Sequence, residues 1–110
     1  MTEIKTNELL SKGFEVNNGK WKYTGTNCVL DFYSSWCNPC KNQELILNES
    51  SKNFKDVQFY KINVEEEYEL AEIFSIKSLP TIIVCGKEET KTFTGFTTKQ
   101  KIDEAVKKVC

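Results

Sequence analysis

Two thiols stand two residues apart in Trp36-Cys37-Asn38-Pro39-Cys40, directly after the apolar run Cys28-Val29-Leu30-Asp31-Phe32-Tyr33. That run has strand character. A strand that turns into a helix presents its first thiol at the helix N-terminus, where free N–H groups and the helix dipole favour thiolate over thiol. Cys37 is therefore the candidate nucleophile. Cys40 falls one turn further in, near enough to close a disulfide with Cys37 and less exposed, as a resolving thiol requires. The pair can cycle between dithiol and disulfide. Asp31 is a second anomaly, because a carboxylate inside an apolar strand carries a burial cost that needs a reason. Either it is a buried group whose raised pKa suits acid–base work, or it faces solvent at a sheet edge.

The remaining cysteines do not form a framework. Five is an odd number, and Cys28, Cys85 and Cys110 are scattered, so a secreted disulfide scaffold is not expected. Cys28 and Cys85 occupy apolar strand positions and read as small hydrophobes. Cys110 is expected to be exposed, open to an intermolecular disulfide or glutathionylation. Structural zinc needs about four ligands, and the chain has no histidine and no second CxxC. Charge excludes other classes: 15 basic residues, all lysine, balance 16 acidic ones, leaving no basic field for nucleic acid and no polybasic membrane patch. No apolar stretch has the length of a signal peptide or a membrane span, so the expected location is the cytosol. No Gly-rich nucleotide fingerprint is present, and no cofactor is expected.

The 110 residues suit one domain, 1–110, with a single core. A helical start over Thr6 to Lys12 leads into Phe14 to Tyr23, where Asn18-Gly19 signals a tight turn. After the Cys28–Tyr33 strand, a helix is predicted from about Cys37 to Phe54, then an alternating strand from Val57 to Val64. Strand, helix, strand implies a parallel crossover. Glu65-Glu66-Glu67 reads as the first turn of a helix reaching Phe74. Leu79 to Cys85 and Thr90 to Thr94 form an antiparallel hairpin around Gly86, and a last helix opens at Thr97 with Gln100 as a capping-box partner. The expected class is α/β, a small sheet covered by helices on both faces.

Taken in order, Val29-Leu30-Asp31-Phe32-Tyr33, Trp36-Cys37-Asn38-Pro39-Cys40-Lys41, Lys61-Ile62-Asn63-Val64, Leu79-Pro80-Thr81 and Gly95 resemble the thioredoxin family. The resemblance runs from about Cys28 to Val109 and implies the thioredoxin fold, with a central mixed sheet. It implies that Cys37 attacks a partner disulfide and that Cys40 resolves the mixed disulfide. Asp31 is then the proton acceptor and donor behind Cys40, and Lys61 could pair with it and restrain its pKa. Pro80 is expected to be cis, leaving the backbone of Leu79 free to pair with an extended substrate segment. Trp36, Asn38, Pro39 and Gly95 complete the docking surface.

The resemblance has departures. Asn38 replaces the family's usual glycine, Leu45 stands where a kinking proline is common, and residues 1–27 do not match the usual opening strand and helix. The implied function is reduction of disulfide-containing proteins by a monomer, recharged by a thioredoxin reductase or another external thiol reductant. An oxidase or isomerase tuned by Asn38, and a non-catalytic binding module built on the same fold, are the alternatives.

Overall fold

The computed structural model describes residues 1–110. Its centre is the strand β4 (Cys28–Tyr33), apolar at every position but Asp31 and buried along almost all its length. Continuous apolar character is what a strand covered on both faces requires. Around it lies a five-stranded mixed sheet in the order β1 (Thr2–Glu3), β5 (Gln58–Asn63), β4, β6 (Thr81–Cys85), β7 (Thr90–Thr94). β1 and β4 run parallel to β5, whereas β6 runs antiparallel to β4 and β7. A separate hairpin pairs β2 (Phe14–Asn17) with β3 (Lys20–Tyr23). Its two-residue turn places both Asn18 and Gly19 at positive φ, 54° and 75°, matching the twist such hairpins require.

Side chains alternate across β4 and split the interior in two. Leu30 and Phe32 face one core with Ile4, Leu9, Phe14, Leu70 and Phe74. The β2–β3 hairpin closes it, where Phe74 meets Phe14, Trp21 and Phe32 edge to face. Val29 faces the other core with Leu47 of α2 (Asn38–Asn53) and with Ile102, Ala105 and Val106 of α4 (Lys99–Val109). Asp31 lies two residues beyond Val29 and shares its face, beneath α2.

Three boundaries differ from expectation. Residues 1–27 do contain an opening strand and helix: β1 pairs with β5, and α1 (Thr6–Leu10) follows it. The helix lies within the helical start read over Thr6 to Lys12, whereas the two-residue β1 is too short to leave a periodic signal. The glutamate run does not form the first turn of α3 (Tyr68–Ile73), which starts after it; Glu67 Oε1 instead accepts from Thr6 N (2.8 Å) and Thr6 Oγ1 (2.7 Å). The last helix is capped by Thr98, whose side chain accepts from Lys101 N. Thr97 is buried and bonded to Gln43 of α2, its N–H donating at 2.8 Å and its carbonyl accepting at 3.0 Å. Two adjacent threonines are equal capping candidates until packing removes one.

Candidate active site

Cys37 is the N-cap of α2, in extended conformation, with Asn38 and Pro39 as the first two helical residues. Proline is tolerated there because its missing N–H would have no intrahelical partner. Cys37 and Cys40 are joined by a disulfide, with Cα atoms 5.3 Å apart. The Cys40 N–H points at Cys37 Sγ, 3.2 Å away, as a cap donor points at a serine oxygen. Once the disulfide is reduced, that donor and the dipole of a 16-residue helix both favour a Cys37 thiolate. Cys37 is half-exposed, Asn38 and Pro39 are exposed, and Cys40 is buried. A partner reaches the first sulfur from solvent and meets the second only through it.

Asp31 is 0% exposed, on the central strand rather than at an edge, and neither carboxylate oxygen has a hydrogen-bond partner. Burial, and secondarily the charge of Glu44, raise its pKa to about 7, against a smaller lowering by Lys61. A group poised near neutrality exchanges protons in either direction. The expected Asp31–Lys61 pair is not formed. Lys61 is opposite Asp31 in the β4–β5 register, yet its Nζ binds Glu44 Oε1 at 3.0 Å.

The peptide bond Leu79–Pro80 is cis. Because Thr81 pairs with Phe32, this bond lies beside the end of β4, where the cysteine turn begins. The Pro80 carbonyl accepts from Gly95 N at 2.8 Å, while the N–H and C=O of Leu79 make no backbone hydrogen bond. Gly95 has φ +86° and open space where a Cβ would stand, so its conformation rather than crowding calls for glycine. The Gln43–Thr97 clamp fastens α2 to the segment after Gly95.

Trp36 is 83% exposed, so its indole is a surface element and not core packing. It is held from one side by Glu65, whose carboxylate accepts from Trp36 Nε1 (3.1 Å), Ser35 N (2.7 Å) and Ser35 Oγ (2.7 Å). These bonds lower the Glu65 pKa. Sequence reasoning missed Glu65 and Glu44, and only their position on elements flanking the CxxC hinted at them. No group of three or more His, Cys, Asp or Glu side chains is arranged to hold a metal ion, and no helix is long and apolar enough to cross a membrane.

A mixed sheet with helices on both faces, carrying a disulfide across the first turn of the helix after its central strand, is the frame of a thiol–disulfide oxidoreductase. The thioredoxin family model matches residues 13–108. Thioredoxin of Mycoplasma genitalium is 34% identical over 103 residues, covering 93% of this chain and 93% of its own. That of Mycoplasma pneumoniae is 34% identical over 107 residues, covering 96% and 97%. In fold, the X-ray structure of Fasciola hepatica thioredoxin matches with a TM-score of 0.80 at 24% identity, over 100% of both chains. The chain belongs to the thioredoxin family.

Proposed function

We propose that this protein is a dithiol reductase of disulfide-containing proteins, acting in the cytosol as a monomer and recharged by an external thiol reductant of the thioredoxin-reductase kind. The observation that carries the reading is the asymmetry of the pair: a half-exposed Cys37 capping α2, linked to a buried Cys40. In the reduced protein the Cys37 thiolate attacks one sulfur of a partner disulfide and forms a mixed disulfide, expelling the other sulfur as a thiolate. Cys40 then loses its proton to Asp31 and attacks the Cys37 sulfur. The Cys37–Cys40 bond forms, and the partner's remaining sulfur leaves with the electron pair of the broken bond. Exposed Trp36, Asn38 and Pro39, with Gly95 and the unpaired backbone of Leu79, receive an extended substrate segment.

The test is a glutathione redox titration with thiol trapping, following the Cys37–Cys40 disulfide by peptide mass spectrometry. A single two-electron transition at or below the cytosolic poise of about −220 to −260 mV supports reduction as the direction. A clearly less negative midpoint reassigns the protein to oxidation or isomerisation. Full biological function in a variant carrying Cys37→Ser and Cys40→Ser would make it a binding module.

A further inference from the structure

Asp31 and Lys61 are register partners on neighbouring parallel strands, so their side chains leave the sheet on the same face. An ammonium there would ordinarily pair with the buried carboxylate. Lys61 Nζ instead lies 3.0 Å from Glu44 Oε1 and 5.6 Å from the centre of the Tyr33 ring. Both Asp31 oxygens are left without a hydrogen bond. Solvation accounts for the choice. The Lys61 and Glu44 side chains are 27% and 35% exposed and keep part of their water, whereas pairing with Asp31 would carry an ammonium into the core.

Glu44 owes its position to helix geometry. It stands one turn beyond Cys40 on the same stripe of α2, and the two line an open cleft of about 370 Å³ with Tyr33 and Leu45. Other elements around Asp31 bring no competing charge. β6 sets Ile82 opposite it, and α4 turns Ile102, Ala105 and Val106 to this core. Tyr33, two residues along β4, donates its hydroxyl to Glu3, and Lys41 is exposed at the cleft rim. Lys61 is the cation available to Asp31, and Glu44 has taken it.

We propose that Glu44 is a positioning residue for the exchange at Cys40: by holding Lys61 in an ion pair, it leaves Asp31 without a counter-ion and able to take the proton that Cys40 loses. This rests on the proton-acceptor role given to Asp31 above. A lysine on Asp31 would favour the carboxylate and weaken it as a base, slowing the step in which the Cys40 sulfur bonds to Cys37 and the partner's sulfur leaves.

The experiment follows the Asp31 carboxyl signal against pH in oxidised protein labelled with ¹³C-aspartate, where Asp56 and Asp103 are the other signals. Glu44→Gln lowers the Asp31 midpoint by about one pH unit, as Lys61 turns to Asp31. The same substitution in a Lys61→Gln background moves it much less. No shift, or equal shifts in both backgrounds, overturns the proposal. The pH profile of insulin disulfide reduction supplies the functional half: the limb governed by Asp31 moves to lower pH in Glu44→Gln. A limb that stays in place while the midpoint moves overturns the part of Glu44 in the exchange. Equal profiles for the parent protein and Asp31→Asn overturn the base role of Asp31 instead.

Discussion

The two ends of β4 carry cysteines in opposite circumstances. Beyond its carboxyl end, Cys37 caps a helix in contact with solvent and is already joined to Cys40. At its amino end, Cys28 is buried opposite Cys85 of β6, and both remain thiols. Proximity alone does not separate them. The Asn27 and Tyr33 carbonyls accept from Gln58 and Val64, so odd positions of this segment turn their peptide groups to β5 and Cys28 turns its own to β6. Cys28 and Cys85 are thus a hydrogen-bonded pair, with Cβ atoms about 5.5 Å apart, wider than the ~3.5–4.5 Å a disulfide takes. The hydrogen bond that the Cys85 thiol donates to the Cys28 sulfur, and then burial, raise the Cys85 pKa. Nearby, burial pushes the Cys110 thiol, which donates to the Cys85 carbonyl at 3.6 Å, up to about 11. Reactivity here is a property of place: a helix N-terminus with solvent at one end, a paired strand under a core at the other.

The sharpest way to break this contrast is to exchange the cysteines for inert residues. Cys37→Ser is expected to drop disulfide reduction to the uncatalysed background, and Cys40→Ser to accumulate a mixed disulfide on Cys37, both read by insulin reduction and intact mass. Cys85→Ala is expected to leave the rate within about twofold and to cost about 1 kcal/mol of stability, as small core truncations ordinarily do. Alkylation of the reduced native protein should label Cys37 first and Cys28 and Cys85 last. Early labelling of Cys28 would undo the account of the amino end.

Asp31 marks the reactive end in a second way. Its pKa is near 3.8 in the unfolded chain and about 7 in the folded protein, so between those values the folded state binds the extra proton. Stability from this group therefore falls as pH rises through 7, by on the order of 4 kcal/mol in full, and below about pH 4 both states are protonated and the penalty vanishes. Asp31→Asn should thus stabilise the protein at pH 8 and change it little at pH 4, measured by urea unfolding at both. Equal effects at the two values would mean that Asp31 is not held near neutrality by its burial.

What was legible in the chain follows the range of the signals. The CxxC at a strand-to-helix turn, the Asn18-Gly19 hairpin and the alternation of β5 are local patterns, and each led to the element that the structure contains. Asp31 stood out for the same reason, because a lone acid within an apolar strand is carried into the core with its neighbours. The partner of Lys61 was not legible: Asp31 and Glu44 both stand within reach once folded, and the choice rests on how much water each pairing removes. The glutamate run misled for a related reason. Three acidic residues before a helix suit its dipole, yet Glu65 and Glu67 are engaged with Ser35, Trp36 and Thr6, contacts of 29 to 61 residues in sequence separation.

Glu65 offers the smallest and most selective test of what distinguishes the reactive end. Its carboxylate fastens the indole of Trp36 and the peptide N–H of Ser35, two residues before Cys37, yet it touches neither sulfur. If it serves to hold the Trp36 surface ready for a partner, Glu65→Ala should raise KM for a protein disulfide a few-fold and leave kcat nearly unchanged, the signature of lost uniform binding. Trp36 fluorescence anisotropy, read in a Trp21→Phe background, should fall as the ring is released. A lowered kcat with unchanged KM would instead place Glu65 within the electrostatics of the Cys37 turn, and the reactive end would then owe its character to a surface carboxylate as well as to a buried one.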